Sequence, residues 1–192
     1  MLESLIFAIL LILAFGFFSL NVKKLVQLVL IGKKEDRFSN LAERIKGLMI
    51  FVFGQKRLFQ DPIPGIAHFI IFWGFIVISI GTIETIISGI FHNFSLSFIG
   101  YRPYSYFLLL HDLMYFLVSI SCLYALYRRY IVRPERLGNT SEEKQDATMI
   151  LGLILLLMIT GYLDNGFEIR AGKSDLVEFM QFSAVFADYF SF

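Results

Sequence analysis

The chain has 192 residues, of which 57% are apolar and only 17% charged, with a formal net charge of +1. A soluble domain is nearer half apolar and about a quarter charged, so this composition excludes an ordinary soluble domain and calls for lipid as solvent. The near-neutral charge excludes a basic nucleic-acid binder, and a single cysteine excludes an internal disulfide or a Cys-rich zinc or iron–sulfur site within these residues.

The first apolar run spans Leu5 to Leu20 and meets Lys23 and Lys24, with a possible continuation through Leu25–Ile31 at the interface. Met1-Leu2-Glu3-Ser4 lacks the positive start of a signal peptide, and no small-residue cleavage pattern follows, so this run is expected to be a retained span. Next, Leu41, Ile45, Leu48, Met49 and Val52 recur at helical spacing, with Glu43, Arg44 and Lys46 between them. That pattern predicts an amphipathic helix on the membrane surface or against a partner. Asp61-Pro62-Ile63-Pro64-Gly65 is expected to form an entry turn.

Further spans are expected from Ile66 to Phe91, from Tyr104 to Tyr127 and from Ala147 to Leu163. Each is close to the ~20 residues a helix needs to cross ~30 Å of hydrocarbon, and helices satisfy their own backbone groups there. Residues Leu176–Phe192 are apolar enough to start a fifth helix. The predicted fold is an all-α polytopic membrane bundle: four transmembrane helices, an amphipathic helix and this possible fifth. The first and third connections are rich in Lys and Arg (Lys33, Lys34, Arg37, Arg44, Lys46, Lys56 and Arg57; Arg128, Arg129, Arg133, Arg136 and Lys144), whereas the second holds only Arg102. By the positive-inside rule those two are cytoplasmic, and the N-terminus and the tail are outside.

Histidines inside spans are functional candidates, because ionisable groups are costly in hydrocarbon. His68 falls about one turn into the second span, with Phe75, Ser79 and Thr82 on its side and Gly74 and Gly81 on a neighbouring stripe. Small residues on such a stripe let a helix, or a flat macrocycle, come close. Imidazole is a common axial ligand of haem iron; it also hydrogen-bonds neighbouring helices, and the residues alone leave both roles open. His111, followed by Asp112, lies deeper in the third span and could serve a haem, a proton path, a quinone or a helix contact. His92 falls at the interface. At 1.5 Å per residue, His68 and His111 differ in depth by roughly 14 Å, too far to share one iron. Two haems with one ligand each here would need partners from Met residues such as Met158 or from another helix. Glu84 and Asp112 within the spans, and Glu168 and Arg170 after the fourth, are candidates for a quinone or proton site; for Asp164, Glu168 and Arg170 a solvated loop is the simpler expectation. Cys122, in an apolar run, is expected to pack. The sequence contains no phosphate loop, no HExxH and no serine or cysteine nucleophile constellation.

Gly65-Ile66-Ala67-His68-Phe69-Ile70-Ile71-Phe72-Trp73-Gly74-Phe75, preceded by Gln55-Lys56-Arg57 and Asp61-Pro62, resembles the second-helix region of a known membrane module. This is the N-terminal cytochrome b domain of membrane-bound iron–sulfur oxidoreductases related to heterodisulfide reductase, among them electron-transferring flavoprotein:menaquinone oxidoreductases. The gamma subunit of respiratory nitrate reductase is more distantly similar. Arg128-Arg129…Arg133-Pro134-Glu135-Arg136-Leu137 and Thr160-Gly161…Glu168-Ile169-Arg170 resemble the family as well, so the likeness covers most of residues 50–170. It implies a module in a bacterial or archaeal cytoplasmic membrane that binds b haems through His68 and His111 and exchanges electrons with menaquinone. The implied partner is a cytoplasmic iron–sulfur domain or subunit, with electron-transferring flavoprotein as a possible donor.

Residues 1–192 are then expected to be one transmembrane cytochrome b-type domain of a larger protein or complex. A further helix would supply the opposing histidines, and clusters would lie only in the continuation or partner. The competing expectation is a non-redox scaffold or transporter subunit with structural histidines.

Overall fold

The computed structural model describes residues 2–32, 39–91, 94–134, 141–172 and 177–189. Six α-helices follow in chain order: α1 Leu2–Leu30, α2 Leu41–Leu48, α3 Pro62–Ile90, α4 Tyr101–Tyr127, α5 Ser141–Arg170 and α6 Gln181–Tyr189. There is no strand among the described residues. Four of these helices are long and apolar enough to cross a membrane: Ser4–Leu30, Pro62–Ile90, Tyr101–Val132 and Glu143–Arg170.

Leu25–Leu30 continues α1 without a break, as the sequence allowed. Two boundaries differ from the expected ones. The prolines expected in an entry turn lie inside the first turn of α3, where a missing N–H costs nothing because no intrahelical acceptor waits for it. The polar stretch after Leu163 is not a solvated loop, because α5 runs on through Asp164, Asn165 and Glu168 to Arg170. It stops where Gly172 takes a positive φ of 64°, the left-handed conformation glycine adopts most readily. The amphipathic segment forms α2 and continues into one π turn, Met49–Phe53. Among the described residues the possible fifth helix is the nine-residue α6.

Contacts divide the chain into two units, residues 1–54 with 83–95 and residues 55–82 with 96–192. In the first, the ring of Phe7 on α1 fills the notch left by Gly89. Most of α1 is apolar and exposed, as expected of a helix whose solvent is lipid.

In the second unit the core is built from Ile78, Tyr115, Val118, Cys122, Met158 and Tyr162. Close approach between its helices depends on glycine. A Cβ at Gly74 would strike Val118, one at Gly81 the ring of His111, and one at Gly161 the ring of Tyr115. The Gly74–Gly81 stripe therefore receives side chains of α4. Cys122 is fully buried against apolar neighbours, as its sequence context predicts.

Candidate functional site

His68 sits six residues after the start of α3, about 9 Å along its axis. It lies in a chain segment folded tightly on itself. Gly54 ends the π turn, and Gln55 then takes a positive φ of 47°. The Gln55 carbonyl accepts the N–H of Leu58 at 2.9 Å, opening the short 3-10 turn Leu58–Gln60. That turn leans on the first turn of α3, where a Cβ at Gly65 would collide with the Leu58 carbonyl. The rings of Phe59 and Phe69 lie 5.6 Å apart, and Asp61 pairs with Arg128 at the end of α4 at 2.9 Å. The result is a buried Gln55, only 4% exposed, whose Oε1 lies 3.3 Å from Nδ1 of His68.

That contact determines what the imidazole can do. With the proton on Nδ1, His68 donates to Gln55 and keeps the lone pair of Nε2 for a ligand. A second hydrogen bond that orients a ligating histidine and raises its basicity is the usual support of a metal-bound imidazole. The ring is exposed on a side of α3 shared with Phe75, which is 70% exposed. An exposed imidazole oriented in this way has the donor chemistry a metal-bound group needs.

His111 is placed differently. It is buried, its ring 4.8 Å from that of Tyr115 in an edge contact and 5.5 Å from Phe107. Its Nε2 edge fills the notch at Gly81, so in this packing it is a helix–helix contact, and a macrocycle on that nitrogen requires α3 and α4 to part there. Gly81 lies about 20 Å along α3 from His68 at 1.5 Å per residue, so the two histidines are not brought together. Met158, considered as a sulfur ligand, is 3% exposed and packs in the core. His92 lies outside the described residues.

Asp112 is 1% exposed and serves the start of α6. Its carboxylate accepts the backbone N–H of Phe182 at 2.7 Å and of Ser183 at 3.2 Å, and the Ser183 hydroxyl at 2.5 Å. Asn165 of α5 donates to the same hydroxyl at 3.1 Å. A helix N-terminus leaves its first N–H groups without intrahelical acceptors, and a carboxylate there also meets the positive end of the helix dipole. Glu84 accepts a hydrogen bond from Ser95 at 2.9 Å. Glu168 and Arg170 stand exposed at the end of α5.

Sequence reasoning missed two of these roles. Gln55 was visible only as part of a basic-flanked motif, and its link to His68 spans 13 positions. The cap on α6 joins residues about 70 positions apart, and no local signal marks it.

Comparisons with known proteins agree with the motif-level likeness. The chain is 34% identical over 167 residues to a Bacillus subtilis protein named "Probable iron-sulfur-binding oxidoreductase FadF". It is 33% identical over 176 residues to the EtfAB:quinone oxidoreductase of Syntrophomonas wolfei. These matches cover 87% and 88% of the chain but 23% of each relative, so the chain corresponds to about a quarter of their length. No family model and no solved structure matches. With its four membrane-length helices, the chain fits a membrane domain of such oxidoreductases.

Proposed function

We propose that the chain is a haem-b-binding membrane module. It passes electrons between menaquinone and an iron–sulfur partner in the cytoplasm, with electron-transferring flavoprotein as the soluble donor. The observation that carries this is the His68 imidazole on a membrane-length helix, contacted at Nδ1 by the buried Gln55. The names of two relatives, an iron–sulfur-binding oxidoreductase and a quinone oxidoreductase, support the redox direction.

A bound b haem supplies reversible one-electron transfer between ferric and ferrous iron. The chain's own residues do the rest. His68 would hold the haem, with Gln55 fixing the orientation of its ring. Phe69 packs on Phe59 beside this turn, and the Asp61–Arg128 ion pair holds the turn that carries Gln55. A further helix, from a continuation of the chain or from a partner, would help to hold this haem. A second haem belongs to His111 in this proposal, and binding it opens the α3–α4 contact at Gly81. Quinone reduction takes up protons, which suits Glu168 and Arg170 at the exposed end of α5. Glu84, bonded to Ser95, is a second candidate proton group. Asp112, whose oxygens are engaged by α6, is assigned to the fold.

A reduced-minus-oxidised visible spectrum of the complete protein in detergent tests the proposal. It should have a sharp b-type alpha band that develops on adding a menaquinol analogue. A featureless spectrum from well-folded, haem-supplemented protein would favour the non-redox scaffold instead.

In this proposal the module lies in the cytoplasmic membrane of a bacterium or archaeon, with an extracytoplasmic N-terminus and cytoplasmic first and third connections; the excess of Lys and Arg in those connections supports the orientation. Cys122 is buried, so it gives little background in a labelling test. Cysteines introduced at Ser39 and Ser97 should behave oppositely in intact cells, with only position 97 reacting with an impermeant maleimide. Labelling at position 39 alone would invert the orientation.

A further inference from the structure

The geometry points to Gln55 as a positioning residue that sets the reduction potential of the haem on His68; the inference rests on the proposal above. Three independent features single Gln55 out. It is a polar residue with 4% exposure in the connection ahead of the membrane-length helix α3, and amides are seldom buried without a task. Its backbone adopts φ 47°, a region that residues with side chains seldom enter and that persists where the surroundings impose it. Gly54, which would adopt that conformation freely, stands one place earlier, with an ordinary right-handed φ of −78°. A turn that needed only a left-handed residue would be better served by glycine at position 55. The chain instead puts a long amide there, and its oxygen meets the ring nitrogen of His68.

The arrangement is also braced. The Gly65 notch, the Phe59–Phe69 contact and the Asp61–Arg128 pair fix the turn that presents Gln55. The turn is therefore built to hold one acceptor at one ring nitrogen.

The chemistry of that contact has a sign. A carbonyl accepting the Nδ1 proton makes Nε2 a stronger electron donor, which favours the ferric over the ferrous state. Removing the acceptor should raise the potential, and a stronger, anionic acceptor should lower it. A tenfold change in the reduction equilibrium corresponds to about 59 mV for one electron.

Redox titration of the complete protein, with haem content and the low-temperature paramagnetic spectrum of the ferric state recorded alongside, tests this. Three variants are needed. Gln55→Gly keeps the left-handed backbone and deletes the acceptor, Gln55→Leu keeps the bulk and deletes the acceptor, and Gln55→Glu strengthens the acceptor. The expected result is a potential raised by about tenfold in equilibrium in the Gly and Leu variants and lowered in the Glu variant, with the largest g value moving in opposite directions. Gln55→Gly carries the test if Gln55→Leu misfolds. If all haem-loaded variants titrate with the wild type, Gln55 is only a turn residue and the inference falls, while the haem on His68 stands. A wild type without b haem would remove the underlying proposal instead.

Discussion

Asp112→Leu should release α6 from the membrane bundle. The Asp112 carboxylate accepts from Phe182 N–H, Ser183 N–H and the Ser183 hydroxyl, and almost no water reaches it. Deleting it strands those donors at the start of a nine-residue helix. A buried donor left without an acceptor costs about 1–3 kcal/mol. An isolated helix of this length has no stability of its own in water, so α6 exists because it docks. The stacked rings of Phe116 and Phe182, with centroids 4.6 Å apart, hold part of the contact but satisfy none of the donors.

The expected destabilisation is therefore roughly 3 kcal/mol or more, concentrated in α6. It should be seen as rapid amide exchange across residues 181–189 and a new protease-sensitive site between α5 and α6. Asp112→Asn keeps one acceptor oxygen and should lose about half as much. If Asp112 were instead a proton carrier, Asp112→Asn would abolish quinone-linked turnover while leaving exchange in α6 unchanged, and that outcome would reverse its assignment to the fold.

Helix number and type were legible because lipid imposes a simple code. Runs of about 20 apolar residues are long enough to span, and α1, α3, α4 and α5 each contain one. Ends were less legible, for reasons visible in particular residues. Pro62 and Pro64 look like breakers in sequence but occupy the one turn where proline fits a helix. Asp164, Asn165 and Glu168 look like a loop, yet α5 continues through them, and there Asn165 meets Ser183 of α6 and Gly166 admits Ala187.

The candidate site was half legible. His68 was marked by being a histidine within an apolar run, and its motif neighbours Gln55, Asp61, Gly65 and Arg128 converge on the turn that supports it. The same rule gave His111 equal standing in kind, because a helical pattern specifies a face but not what fills the facing notch. Gly81 and His111 lie 30 positions apart, and only the packing of α3 on α4 shows that one receives the other. Asp112 was legible as an intramembrane carboxylate, but its partners at the start of α6 are set by tertiary structure alone.

His68→Ala should remove a haem while leaving the helices inserted. The side chain is exposed on α3 and its one described polar contact is with Gln55, so its loss opens no core cavity and disturbs little packing. An iron without one axial imidazole loses its bond to the chain, and alanine offers no replacement ligand. His111→Ala should cost the second haem and, because it empties the Gly81 notch in the buried α3–α4 contact, packing as well. The most direct test is haem counted per chain, by pyridine haemochrome, in the complete wild-type protein and its His68→Ala variant purified to equal monodispersity. The account predicts that the variant contains one haem fewer. Equal haem content in the two, with the variant folded and inserted, would contradict it.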